Sequence, residues 1–347
     1  MAITTWISAG SNVYRSLSNW NHGVPNFGDA ALFGVSNVTN PTISGGGWVN
    51  VGEWIVNPGA SQYSFTIEAG TGLDFFGGGI IIDGGSVDIT VESGSSGLQF
   101  DNTSTAGGAS ITNDAGLEFD EASTAGTAKI HTVAGAGIGF FDLSTGGNAQ
   151  FITDTGGTID FSHSSGPAGN HQLTAASIDG GGTYELGQDQ LSVGLNVPSA
   201  EVSGLIEGVG GSLVKVGRGK LKLSGAGNTY TGGTILEVGK LDVAAVGAAG
   251  TGSVTFDGKA TLKIENAALS SRHFGNPIDL FGKHDVLDLT GLHFHAGATA
   301  TYHKASHHLA VHSGPVTDTL TLLSALGTHF AAASDHHDGT DVFLVLA

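Results

Sequence analysis

Eleven of the fifteen histidines fall between His273 and the C-terminus, a concentration that invites a chemical reading. His293 and His295 alternate, so on a strand both rings would face one side, a spacing able to chelate a transition metal. His303, His307, His308, His336 and His337 follow, and Asp335, Asp338 and Asp341 surround the last pair. Two other readings stand beside chelation. The imidazoles can occupy solvent-facing positions without a ligand, because no closed Cys/His set is visible. They can also act as a pH switch, since protonation near about pH 6.5 would cut the acidic net charge and promote association. Acidic residues offer a second chemistry. Asp101, Asp120, Asp142 and Asp160 each follow or adjoin a recurring Phe, at positions that look repeat-equivalent. Paired carboxylates of that kind serve glycan-cleaving sites, and turn positions account for them too. Lys and Arg are absent from residues 16–128, which removes a basic catalyst from that stretch. Calcium-binding Gly-Gly-x-Gly-x-Asp nonapeptides occur only as near misses, such as Gly84 to Asp88. No Ser-His-Asp motif, phosphate loop or nucleophile elbow appears.

The elements that must position these residues are governed by glycine. It supplies 58 of 347 residues, more than twice the usual share, while Pro is scarce, so neither collagen nor a Pro-rich linker fits. With 39% hydrophobic residues, mostly small or β-branched, the chain can bury a core of strands. Twelve basic residues against 31 acidic ones give a formal net charge of −19. That balance argues against nucleic-acid or anionic-membrane partners, which need clustered Lys and Arg. Cysteine is absent, and a long solenoid with a continuous core does not need disulfides. The N-terminus shows no basic and apolar leader, and no run of about 18 apolar residues predicts a membrane span.

Four segments align between Gly97 and Ser177. Their anchors Ser104, Ser123, Ser144 and Ser164 lie 19, 21 and 20 residues apart, and Phe100, Phe119, Phe140 and Phe161 lie 19, 21 and 21 apart. Each unit reads as two short alternating strands separated by polar Ser, Thr and Gly turns. Neither strand can bury its apolar face alone, so coils must stack, with the Phe residues as an internal ladder. The predicted fold is all-β: a right-handed parallel β-helix with coils of about 20 residues and a C-terminal β-rich cap. Its expected parts are a capping segment over 1–60, coils over 61–270 and a His-rich module over 271–347. Trp6 and Trp20 would plug the open end of the helix. Carbohydrate binding is the sharper reading of those two indoles.

Residues 208–243 (GVGGSLVKVGRGKLKLSGAGNTYTGGTILEVGKLDV) closely resemble the autotransporter-associated β-strand repeat of bacterial surface passenger domains. Leu213, Lys215, Gly217, Leu221, Leu223, Ser224, Gly225, Asn228, Thr229, Tyr230, Thr231, Gly232, Gly233, Thr234, Gly239 and Leu241 match its pattern. The resemblance implies a parallel β-helix and an extracellular life, and no catalytic residues. The Trp-bearing start resembles the opening of many large bacterial surface proteins. The end, Asp341, Val342, Phe343, Leu344 and Val345, resembles the uncleaved signal of type I secreted proteins, and residues 278–323 resemble their terminal module.

These readings converge on a secreted structural or adhesive protein of the bacterial surface or extracellular matrix, exported without a leader and associating with itself as a filament or layer. A polysaccharide-binding or polysaccharide-cleaving β-helix is the alternative, with surface glycans as partner. No cofactor is required on this reading. Calcium at Asp- and Asn-rich turns, or a transition metal at the histidines, are the two candidates.

Overall fold

The computed structural model describes residues 2–8 and 10–345. Strands make up almost all of its regular structure, and the helical content is two 3-10 turns, Leu17–Asn19 and Asn266–Ala268. The chain is a β-solenoid whose coils average about 22 residues, slightly longer than the predicted period. It divides into two compact units, residues 1–176 with 182–185, and residues 177–181 with 186–347.

In the first unit one sheet runs through Ile3–Thr5, Ala30–Phe33, Gly47–Val56, Thr71–Ile82, Gly97–Phe100, Gly116–Phe119, Gly137–Asp142, Thr158–Ser164 and Thr183–Glu185. Every neighbouring pair is parallel. A second parallel sheet stacks Gln62–Ile67, Ser86–Val91, Ser110–Asn113, Lys129–Thr132 and Gln150–Thr153. The third side of the coil is reduced to one bridge per turn, linking Gly79, Thr105, Thr124 and Thr145.

Alternation explains what each strand buries. In Gly-Leu-x-Phe the Leu and Phe share a face, and Leu98, Leu117, Ile138 and Ile159 occupy one register position in successive coils. Phe75, Phe100, Phe119, Phe140 and Phe161 stack ring on ring, with centroids 4.9–5.1 Å apart and planes within 10°. That separation matches the spacing of hydrogen-bonded strands, about 4.8 Å, so the backbone ladder sets the aromatic ladder. The serine anchors are not surface turn residues, as their polarity suggested. Ser104, Ser123 and Ser144 are fully buried, and the Ser164 hydroxyl donates to the Ser144 carbonyl at 2.7 Å.

The second unit continues with parallel pairs such as Gln190–Val193 on Ser212–Lys215, Ser199–Val202 on Lys220–Leu223, and Thr234–Val243 on Val254–Ile264. Beyond these, pairing becomes largely antiparallel. Thr299–His303, His308–Ser313 and Val316–Leu322 form a meander, and Phe330–Ser334 pairs Thr340–Leu344, which also pairs Val286–Leu289. The switch produces the expected C-terminal β-rich cap.

Candidate functional site

Trp6 and Trp20 are 3% exposed and meet edge-on, their centroids 5.2 Å apart, within a cluster that includes Tyr14, Phe33 and Trp54. The Trp20 indole N–H donates to the Tyr14 carbonyl and that of Trp6 to the Val38 carbonyl. Both indoles therefore serve as the plug, and their burial removes them as sugar platforms. The edge strand Ile3–Thr5 is itself covered at Thr5, whose N–H donates to Asn21 Oδ1 while its carbonyl accepts the Asn21 N–H.

The four sequence-selected acids do not form one column. Asp101 and Asp120 are equivalent: each accepts its coil's N–H bond at the start of the same turn, from Ser104 and Ser123 respectively. Asp142 instead shares the left-handed corner of Asn102 and Glu121, with φ near 53–57°. Asp160 belongs to a third column, in register with Gly139. A register shift between Gly139 and Phe141 causes the mismatch, placing Phe141 where Asp101 and Asp120 would repeat.

What does assemble is an acidic lane on the outer face of the first sheet. Asn50, Asp74, Gln99 and Glu118 follow one another in register from coil to coil. Asp74 is 6% exposed, its Oδ1 has no hydrogen-bond partner, and burial with Asp101 beside it pushes its carboxyl up to about 7. Burial also raises Asp101 and Glu118, and the neighbouring carboxylates of Asp120 and, for Asp101, Glu121 add to it. A carboxyl that holds its proton near neutrality beside more readily ionised ones can act as a general acid or as a donor to a bound hydroxyl. Sequence reasoning passed over Asp74, because one Leu-Asp-Phe reads like every other outward acid.

The sign of its pH effect follows from the raised value. The folded state retains the Asp74 proton at a pH where the unfolded chain has lost it, so this group's contribution is present in acid and is lost as pH rises through 4 to 7. Asp74→Asn is therefore expected to match the parent near pH 3. It should gain progressively through that window and level off above 7 at about 2 kcal/mol. Urea unfolding from pH 3 to 8 checks this, and a gain independent of pH would contradict the assignment.

The lane adjoins a small cavity of about 350 Å³ lined by Arg15, Val24, Pro25, Asn26, Trp48, Val49 and Asn50. The strand Ala30–Phe33 pairs only Glu53–Val56 of its neighbour, leaving the edge at 47–50 for the Arg15 guanidinium. Arg15 donates to the Gly46 and Trp48 carbonyls at 2.6 and 2.7 Å. Trp48 is 42% exposed and lies over Gly72, where an added Cβ would fall 2.5 Å from its ring. Trp48 was not singled out from sequence, since nothing repeats it.

In the second unit the repeat-like motif is spent on holding coils together. Asn228 accepts the Ile206 N–H and donates to the Ala248 carbonyl, spanning coils on either side. The Tyr230 and Thr234 hydroxyls bond at 2.6 Å in the core. Lys215 is fully buried and donates to the Val216, Gly217 and Val238 carbonyls. Burial pushes its ammonium down to about 8, while three carbonyl acceptors favour the charged form.

The histidines gather only in pairs. His293 and His295 lie in a loop rather than on the expected strand, yet their rings meet edge-on at 4.9 Å, and His293 Nδ1 contacts the Asp338 carboxylate. His303 and His308 face one another across a hairpin, with His307 in its turn. His336 and His337 sit in the turn before Thr340–Leu344, and His337 Nδ1 bonds the Asp335 carbonyl. Among the described residues no three of His, Cys, Asp and Glu stand where they could share a metal ion. At the calcium near miss, Asp88 accepts from the Gln62 amide at 2.8 Å.

The secretion-like end is folded into the cap. Val342 and Leu344 are buried, Asp341 and Phe343 are half-buried, and Val345 is exposed. Asp341 stands opposite Asp288 across the strand pair, and burial with that like charge pushes it up to about 6.

The fold and its faces define a β-solenoid with a plugged end, an acidic outer lane and a stapled second unit. No family model matches the chain, and no curated protein matches it. No helix of the described residues is long and apolar enough to cross a membrane.

Proposed function

We propose that this chain is an extracellular structural or adhesive protein of a bacterial surface or matrix, which associates with further copies of itself. The observation that carries the reading is the use made of the repeat-like motif. Asn228, Tyr230, Thr234 and Lys215 all bond core or backbone groups, several of them in neighbouring coils, and so serve the solenoid itself. Self-association draws on Ile3, Ile7 and Leu17, which remain 55%, 50% and 73% exposed beside the plugged end. Because Thr5 is already bonded to Asn21, contact there would run through these side chains rather than by strand addition. Light scattering and negative-stain microscopy at pH 5–8, with and without calcium, should reveal assemblies that the double variant Ile7→Asp, Leu17→Asp loses. Monomers under every condition would rule self-association out. For location, antibody labelling of intact producing cells should detect the chain outside, and detection only after lysis would defeat the extracellular reading.

Polysaccharide binding is the second reading, favoured by the exposed Trp48 beside the lane of Asn50, Asp74, Gln99 and Glu118. An indole face takes the apolar side of a sugar ring while amides and carboxyls take its hydroxyls.

A further inference from the structure

We propose that the cavity between Arg15, Asn26, Trp48 and Asn50 binds one anionic sugar, carboxylated or sulfated, at the end of a glycan whose remaining residues are not anionic. This rests on the polysaccharide-binding reading and names the ligand class.

Charge is the first support. Arg15 is the only Lys or Arg in residues 1–128 of a chain with net charge −19. Among the described residues it has no carboxylate partner. Two backbone carbonyls fix its guanidinium at the mouth of the cavity, and no acidic residue lines that cavity. A planar guanidinium with donors to spare is suited to a carboxylate or sulfate.

Shape supplies the second support. Trp48 is held flat because Gly72 beneath it lacks a Cβ, and its other face is open. The side-chain amides of Asn26 and Asn50 have no protein partner among the described residues, so they remain free to bond hydroxyls. A volume of about 350 Å³ lies at the small end of ligand cavities, which fits one ring rather than a chain.

The lane limits the rest of the ligand. Asn50 is in register with Asp74, and Asp101, Glu118, Asp120 and Glu121 continue beyond it. A polyanionic chain laid along that face would meet like charge at every step. Only the residue at Arg15 can carry a negative group.

The test uses the intact chain and three oligosaccharides alike except at their terminal residue: glucose, glucuronate or glucose sulfate. A polyuronate is the fourth probe. Trp6, Trp20 and Trp54 are buried, so iodide quenching reports chiefly on Trp48. The glucuronate- or sulfate-ended probe should shield Trp48 from iodide and bind about ten-fold tighter than the glucose-ended one. Which of the two binds tighter identifies the anion. Arg15→Gln should abolish the preference, and Arg15→Lys should keep part of it. Gly72→Ala, which lifts the indole without removing it, should weaken all three probes. Equal binding of the glucose-ended probe overturns the anionic assignment and leaves the polysaccharide reading standing. Tighter binding of the polyuronate overturns the single-residue limit. No binding of any probe overturns both readings. Should Arg15→Gln fail to fold, loss of the preference in 0.5 M salt reads the same charge contact, and a salt-independent preference counts against it.

Discussion

Phe119→Ala is expected to cost ~3–5 kcal/mol of stability and to confine the damage to the coils on either side. Phe119 is fully buried and sandwiched between Phe100 and Phe140, whose centroids lie 5.1 and 4.9 Å away with planes at 7°. Truncation removes both stacking contacts and leaves a ring-sized void. The ladder cannot close it, because parallel backbone bonds at Leu98, Leu117 and Ile138 hold the coils at fixed spacing. In a solenoid each coil touches only its neighbours, so hydrogen exchange should accelerate over residues 97–142 and stay unchanged beyond residue 212. Phe141→Ala is the control. Phe141 is half-buried against His163, at 5.6 Å, outside the ladder, and its loss should cost below about 1 kcal/mol. Equal effects from both substitutions would mean the stacked ladder is not what stabilises the first unit.

The same geometry explains why the fold was legible in the residues. Parallel stacking places equivalent side chains one above another, so Phe100, Phe119, Phe140 and Phe161 recur in the chain at the spacing of the coils. The third side of each coil left no such trace, because one bridge at Thr105, Thr124 or Thr145 is too short for alternation. Ser104 and its copies misled for a different reason. A serine beside Thr and Gly has the composition of a surface turn, and its inward direction depends on the corner at residues 101–104. The acids show the limit most plainly. Aligning Asp142 with Asp120 seemed natural by spacing, but the extra residue at Phe141 moved it to another column. Asp74 and Trp48 carry no periodic signal at all. Their importance arises from neighbours 24 to 27 residues away, Asp101 for one and Gly72 for the other. The signal that could have found Trp48 is the glycine column Gly72 and Gly97, which keeps the outer face flat beside it.

A second large loss is expected at the C-terminal cap, where Arg272→Ala should cost about 3–5 kcal/mol. Asp318 is 0% exposed, and Arg272 Nε stands 2.7 Å from its Oδ1 as its one polar side-chain contact among the described residues. The guanidinium also donates to Asn266 Oδ1 at 2.8 Å, so it joins the turn before His273–Asp279 to the strand Val316–Leu322. Burial raises the Asp318 carboxyl and Arg272 opposes that rise. Without the arginine, the folded state must bury an unpaired charge or take up a proton. A carboxyl raised in this way contributes stability in acid that is lost as pH increases, so the deficit of Arg272→Ala should be small near pH 3 and largest at neutral pH. Replacing both partners, as in Arg272→Met with Asp318→Leu, removes the stranded charge and should recover most of the loss. Chemical unfolding of the three variants at pH 3, 5 and 7 separates the alternatives. A deficit that ignores pH, or a double variant no better than the single one, would assign Arg272 to packing alone. The outcome reaches beyond stability, because the cap that this pair ties together also carries His293, His295 and the strand Thr340–Leu344. Any metal, proton or export signal read by those residues is presented on a scaffold fixed by one buried ion pair.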